Sequence, residues 1–301
     1  MEHDFVRWLS SHLPSSRRLR PGIGDDAALV ALDTPQVVAT ADLLIEGVHF
    51  LSAKHTPSQI GYKALAVNLS DLAAMAAQPR GALVSLALPR GADPRLGQQI
   101  IEGMLPLTER WDCPLVGGDT NTGPGPLVVA VTALGEPSSR GVVLRSGAQP
   151  GDVLCVTGPL GGSLAGKHLD FTPRVSEALA LHAAFSLHAM LDISDGLALD
   201  LHRMAVASGV GALLYATAIP LTPAAHQSAA ASGRTALDHA LADGEDFELL
   251  FALPPEEAAR LQPGVFPQAY PVGVITAEPG LWLEDADGVK QPLQPMGYEH
   301  Q

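Results

Sequence analysis

Residues 57–89 read PSQIGYKALAVNLSDLAAMAAQPRGALVSLALP, and the change of periodicity inside them decides the fold. From Pro57 to Met75 apolar residues recur at helical spacing, with a proline near the start, where its missing N–H costs nothing. Ala82–Leu88 is an apolar run of strand length. Working outward, Val37–Thr40 reads as a strand ending at Asp42, and Phe5, Trp8, Leu9 and Leu13 give a short amphipathic helix before it. Downstream, Pro94–Trp111 reads as a helix, Leu115–Val116 runs into GGDT (Gly117–Thr120), and Leu127–Leu134 is a buried strand. The texture then changes to GEPSSRGVVLRSGAQPG over Gly135–Gly151, the best boundary in the chain. A second series follows: strand Val153–Thr157, helices Arg174–Met190 and Leu197–Ser208, and strands Gly211–Ala216, Phe247–Leu253 and Tyr270–Ile275. The class is α/β (α+β) with two domains, expected at 1–137 and 148–301.

The 301 residues are too many for one ordinary core, and with 47% apolar residues two cores can be filled. Net charge is −14, which excludes a general affinity for nucleic acid or anionic membrane, since both require basic patches. A membrane span needs about 20 consecutive apolar residues, and the apolar runs here are strand-length. The start, MEHDFVRWLSSHLP, lacks the basic and apolar regions of a signal peptide, so a cytoplasmic location is expected. Cys113 and Cys155 lack metal-ligand spacing and read as reduced packing residues.

Several acidic residues occupy contexts where surface charge is not expected: Asp25 and Asp26 in GIGDDAALV, Asp42 in ATADLLIEGVHF, Asp71 in NLSDLAAM, Asp119 in VGGDTNTGPG, and Asp192 with Asp195 in LDISDG. Each alone has an ordinary reading, as a turn residue, a helix cap or a solvated helix face. As a set they imply cations, because converging unpaired carboxylates is costly and hard oxygen ligands suit Mg²⁺ bridging phosphates. Glycine-rich segments complement them. Gly117–Thr120 lies at an expected strand end, and TGPLGGSLAG (Thr157–Gly166) follows a strand and opens an expected helix; both offer backbone N–H groups to phosphate or simply allow close packing. GGSLAGK (Gly161–Lys167) nearly matches a P-loop but continues with His168 instead of Ser or Thr. Lys63 is two helical turns before Asp71, on the same face. GEDFELLF (Gly244–Phe251) should turn at least one of its acids inward. No G-x-S-x-G, reactive-cysteine or HExxH pattern is present, so direct in-line transfer is favoured over a covalent intermediate.

In this order, GIGDDAA, TADLLIEGVHF, GYKALAVNLSDLAAMAAQP, GGDT, RSGAQPGD, LDISDGL and GEDFELLF resemble the thiamine-monophosphate kinase family, over residues 22 to 251. The wider superfamily includes aminoimidazole-ribonucleotide synthetase, selenophosphate synthetase and the hydrogenase-maturation dehydratase. The resemblance implies a two-domain aminoimidazole-ribonucleotide synthetase-like fold whose N-terminal sheet pairs with that of a second subunit in a homodimer. It implies an active site in the cleft, with ATP donating its γ-phosphate to thiamine monophosphate. Several Mg²⁺ ions would bridge the two polyanions, and assistance from K⁺ is left open.

The resemblance also implies roles. Asp26, Thr40, Asp42, Asp71, Asp119, Asp192 and Asp195 match metal positions, with Asp42, Asp71 and Asp195 closest to the chemistry. Gly118, Asp119, Arg145 and Ser194 match nucleotide positions, and His49, Glu245 and Tyr298 the thiamine side. Two departures stand out. Thr40–Ala41–Asp42 lacks a hydroxyl that many relatives carry, so metal contact there must come from backbone or water. The chain ends Gly297-Tyr298-Glu299-His300-Gln301, where relatives often end in an aromatic, so Tyr298 either serves instead or packs structurally. A sibling enzyme and a non-catalytic metal- or nucleotide-binding module are the competing readings. A selenophosphate synthetase should carry a reactive Cys or selenocysteine before Gly22, and a calcium loop should concentrate its acids in about a dozen residues; neither pattern is present.

Overall fold

The computed structural model describes Trp8, His12, residues 32–261 and residues 267–298. They divide into two compact units, the first comprising Met1–Leu72, Ala77–Pro137 and Leu169–Thr172, the second Ala73–Ala76, Ser138–His168 and Pro173–Gln301.

In the first unit, β1 (Val38–Ile45), β2 (Ala77–Pro89), β3 (Leu115–Gly123) and β4 (Val128–Pro137) form a four-stranded sheet in the order β1-β4-β2-β3. β4 is antiparallel to both β1 and β2, whereas β2 and β3 are parallel. Helix α1 (Pro57–Ala74) begins in a capping box. Gln59 Oε1 accepts from Thr56 N at 2.9 Å, and Thr56 Oγ1 accepts from Gln59 N at 3.3 Å. From Ala64 to Ser70 every residue of α1 is buried, so this helix sits inside the unit. It crosses α2 (Leu96–Arg110) at glycines. A Cβ on Gly61 would stand 1.8 Å from the Ile100 carbonyl oxygen, and one on Gly103 would stand 2.0 Å from that of Ser58. On the other face of the sheet, Ala39, Ala41, Leu43, Leu83, Ser85 and Ala87 are exposed.

The second unit holds β5 (Val153–Val156), β6 (Ala189–Asp192), β7 (Gly211–Tyr215), β8 (Leu249–Leu253), β9 (Tyr270–Thr276), β10 (Gly280–Glu284) and β11 (Lys290–Pro292). They form one sheet in the order β11-β10-β7-β9-β5-β8-β6, antiparallel throughout except for β7 with β10. Its helices are α3 (Val175–Ala184), α4 (Leu197–Ser208), α5 (Pro223–Ser232), α6 (Ala236–Ala242) and the single turn α7 (Pro255–Ala258). Leu154, Leu191, Leu201, Met204, Leu214 and Leu250 lie at the centre of its core. Cys113 and Cys155 are buried free thiols, and burial pushes each up to about 12. Among the described residues no helix is long and apolar enough to cross a membrane.

Several sequence expectations are corrected. β1 runs on to Ile45 because Leu43, Leu44 and Ile45 pair with Ala130, Val129 and Val128, so Asp42 lies within the strand and not at its end. GGDT, expected at a strand end, is likewise inside β3, which runs on to Gly123. The helix expected over Arg174–Met190 stops at Ala184, and Ala189–Asp192 is a strand paired with β8. Short apolar runs do not distinguish the two states without their partners. TGPLGGSLAG opens only two single 3₁₀ turns, Ser163–Ala165 and Lys167–Leu169. Of the first expected helix, only the helical Trp8 and His12 are described.

Gly61→Ala should destabilise the chain by about 1–3 kcal/mol or more, the cost of forcing atoms into a packed contact. The urea midpoint reads this, and an unchanged midpoint would contradict the close helix crossing.

Candidate functional site

In the first unit the acids come together where β1 meets α1. The Asp42 ladder row continues through Val131 and Val84 to Gly118. Asp71 comes from the last turn of α1, and its Oδ2 accepts a hydrogen bond from Thr40 Oγ1 at 2.5 Å. Asp42 and Asp71 also share a hydrogen bond. Burial, then the Asp71 charge and that hydrogen bond, push Asp42 up to about 7. Two carboxylates this close need a proton or a cation between them. Gly118, in the same row, has a φ of +155°, and a Cβ there would lie 1.7 Å from the Val84 carbonyl oxygen. Asp119 is paired with Ser85, one row along, and is exposed. Its carboxylate accepts from Thr120 N at 2.9 Å and from Asn121 Nδ2 at 2.8 Å. His49 follows β1 in a turn, where its Nδ1 accepts from Ile45 N at 3.0 Å. Asp26 lies outside the described residues.

In the second unit LDISDG, GEDFE and the C-terminal GY are stitched together through their backbones. Glu245 N donates to Ser194 O at 2.7 Å, Phe247 N to Ile193 O at 2.8 Å, and Tyr298 N to Asp195 O at 2.9 Å. Glu245 and Phe247 both adopt positive φ (55° and 50°), strained backbone of the kind that clusters at functional sites. Asp195 pairs with Arg203, which also reaches Asp200 Oδ1 at 2.7 Å. Asp200 is buried on α4, and its Oδ2 takes the N–H groups of Ser194 and Asp195 at 3.0 and 2.9 Å. Burial outweighs those bonds and pushes Asp200 up to about 6. Asp192 ends β6 opposite Leu249, and Arg145 is exposed.

The glycine-rich segment is held by the chain's own carboxylates. Asp246 accepts from Gly161 N at 2.9 and 3.0 Å and from Ser163 Oγ at 2.5 Å. Glu248 binds Thr157 Oγ1 at 2.8 Å, Lys167 Nζ at 2.9 Å and Arg174 at 2.7 and 2.8 Å. Burial draws Glu248 upward, but the hydrogen bonds from Arg174, with the Lys167 charge, leave it below the ordinary range. Both acids therefore turn inward, where at least one was expected to. The Gly161 amide, expected among the phosphate donors, is already used, and Lys167 is an ion-pair partner of Glu248 instead of a P-loop lysine.

The two halves of the chain match known sequence models. The AIR synthase related protein N-terminal domain matches residues 24–136, and the corresponding C-terminal domain residues 149–285. A thiamine-monophosphate kinase of Rhodopirellula baltica is 43% identical over 311 residues, covering 100% of this chain and 97% of its own. The chain belongs to the thiamine-monophosphate kinase family. The crystal structure of that kinase from Stenotrophomonas maltophilia K279a has a TM-score of 0.78 at 34% identity, over 95% of each chain. A structure of AaThiL complexed with AMPPCP and TMP has a TM-score of 0.79 at 29% identity, over 100% of this chain and 96% of that one.

Against this family frame, the described residues show two groupings: Thr40, Asp42 and Asp71 in the first unit, and Ser194, Asp195, Glu245 and Tyr298 in the second. Asp200, Arg203, Asp246 and Glu248 shape the second grouping and its glycine-rich neighbour, yet Asp200 and Arg203 carry no signal beyond helical spacing after Asp195. Ser232, His239 and Asp243 also line up, with His239 Nε2 2.8 Å from Ser232 Oγ and Nδ1 2.5 Å from Asp243. The next backbone amide, Gly233 N, is spent on Ala229 O, and Arg234 shares Asp243, so these contacts tie α5 to α6.

Because the Asp42 pKa in the folded chain exceeds the ordinary 3.8, the folded state keeps a proton that the unfolded chain has lost. Metal-free stability should therefore fall as pH rises from about 4 to about 7. Asp42→Asn should flatten this slope and melt higher than the parent at pH 8 by a few degrees, about 2–4 °C per kcal/mol. Superimposable pH–melting profiles would contradict the carboxylate pairing.

Proposed function

We propose that this chain phosphorylates thiamine monophosphate, breaking the bond between the β–γ bridging oxygen and the γ-phosphorus of ATP. A bond forms from a phosphate oxygen of thiamine monophosphate to that phosphorus, giving thiamine diphosphate and ADP. Family membership supports the reaction, and the observation that carries it here is the proton-sharing Asp42–Asp71 pair. A hard divalent cation fits this donor set, since Mg²⁺ takes one or two carboxylates and completes its shell with water and phosphate oxygens. When bound, Mg²⁺ would neutralise charge on the phosphoryl group as it moves.

The chain's own part is positioning. Thr40 fixes the Asp71 rotamer through its hydroxyl, which offsets the hydroxyl missing at Ala41. Gly118 lets the β3 backbone approach closely, so we assign Gly118 and Asp119 to the nucleotide side with Arg145 and Ser194. Asp192 and Asp195 would hold further Mg²⁺, as would Asp26, with Arg203 as the charge partner of Asp195 until the ion arrives. His49, Glu245 and Tyr298 are assigned to thiamine monophosphate. The strained φ of Glu245 and the Tyr298–Asp195 backbone bond support the last two. A K⁺ requirement is left to measurement.

We also propose a homodimer in which a second copy covers the first unit's sheet. Leu43 and Leu83 are 49% and 38% exposed there, and small alanines beside them allow close approach. A cytoplasmic location is the reading that fits ATP as co-substrate.

Asp71→Asn should lower kcat by roughly 100-fold or more, the scale of removing one charge-stabilising group, with the urea midpoint retained. Formation of ADP coupled to NADH oxidation, started with thiamine monophosphate, measures it. Near-parental turnover would remove Asp71 from the site.

A further inference from the structure

Arg174 and Arg203 each pair with a buried carboxylate, but they spend their guanidinium groups differently. Arg174 uses all three nitrogens: Nε and Nη2 donate to Glu248 at 2.7 and 2.8 Å, and Nη1 donates to Glu177 at 3.0 Å. Arg203 uses one. Its Nη1 donates both to Asp195 and to Asp200 Oδ1, the latter at 2.7 Å. Among the described residues, Nε and Nη2 of Arg203 meet no acceptor. These two nitrogens form one edge of a planar fork, the edge whose geometry matches two oxygens of a single phosphate. As a point charge a lysine would satisfy both carboxylates; the fork adds a shape that neither carboxylate uses.

The group is fixed from below and reachable from outside. The Asp200 side chain is 3% exposed and that of Arg203 34%. Asp200 Oδ2 accepts from Ser194 N and Asp195 N at 3.0 and 2.9 Å, so one carboxylate sets both the LDISDG turn and the guanidinium beside it. Leu199 lies one turn before Arg203 on the same face of α4. The C-terminal segment packs there: a Cβ on Gly297 would stand 2.6 Å from Leu199 Cβ and 2.5 Å from Asp195 O, the carbonyl that accepts from Tyr298 N. Arg203 thus stands among the residues of the second grouping. In a chain of net charge −14, a bound phosphate must be met by positive charge placed locally.

We infer that Arg203 is a phosphate-binding residue of the site. Nη1 stays on Asp200, while Nε and Nη2 take two oxygens of one phosphate group, supplied by the nucleotide or by thiamine monophosphate. This rests on the proposed function and on the assignment of Ser194 and Asp195 to the site.

Arg203→Lys tests this, because it keeps the charge beside Asp195 and Asp200 and removes the planar edge. Arg203→Met, which removes both, is the companion variant. Calorimetric titrations in Mg²⁺ buffer, with AMPPCP and separately with thiamine monophosphate, read binding without turnover, and the ligand-free melting temperature reads the ion pairs. In Arg203→Lys the melting temperature should stay within about 2 °C of the parent, as for a change of about half a kcal/mol. Affinity for at least one of the two ligands should fall about tenfold or more, the scale of one charge-assisted hydrogen bond. Loss confined to AMPPCP assigns the fork to the nucleotide, and loss confined to thiamine monophosphate assigns it to the acceptor. Arg203→Met should show the same loss and also melt lower. Parental affinity for both ligands in Arg203→Lys, or equal losses accompanied by a lower melting temperature, would overturn the inference and leave Arg203 as the neutralising partner of two carboxylates. A parent chain that binds AMPPCP but neither binds nor phosphorylates thiamine monophosphate would instead overturn the proposed acceptor, with the AMPPCP titration of Arg203→Lys still deciding the inference. A parent that binds neither ligand would overturn both.

Discussion

Like charges at close range set the constraint on which the first unit depends. Asp42 comes from the middle of β1 and Asp71 from the last turn of α1, and the fold brings them within a shared hydrogen bond. Burial alone would raise the pKa of such a carboxyl, and a second carboxylate raises it further. The arrangement persists because both elements are locked elsewhere. β1 pairs along its whole length with β4, and α1 is enclosed by core residues and crosses α2 where glycines admit no Cβ. On the proposed function, a pair destabilised by its own charge is thereby held ready for a cation, at the expense of stability near neutral pH.

The second unit solves a different problem by related means. Its sheet carries a loop rich in glycine, which would otherwise be conformationally free. Two buried acids from GEDFE fix it: Asp246 by the Gly161 amide and Ser163 hydroxyl, Glu248 by Thr157, Lys167 and Arg174. The same short segment stores backbone strain at Glu245 and Phe247 and hydrogen-bonds to the LDISDG turn. Asp200 organises that turn from below by accepting two of its amides. Charge that the composition reports simply as an acidic excess is here the internal scaffold of a loop cluster.

Long periodic elements were legible. α1 and α4 fall within a residue of where apolar spacing puts them, because both are long and bury most of their apolar side chains. What failed were short elements whose state depends on distant partners. β6 is four residues that only pairing with β8 makes a strand, and β1 extends past Asp42 because β4 lies beside it. The candidate acids could be picked out by their small-residue contexts, but their roles could not. Asp246 and Glu248 look alike in sequence to Glu245 and differ by which way an irregular, positive-φ backbone turns them. Asp200 and Arg203 rest on contacts across three to eight residues that no motif records.

Calorimetric titration of Mg²⁺ into the chain at pH 6.5, in two buffers of different ionisation enthalpy, tests the carboxylate pair most directly. A cation that replaces the shared proton should release protons on binding, and Asp42→Asn should lose that release. Binding without proton release, equal in the parent and Asp42→Asn, would contradict the pair as the cation's seat.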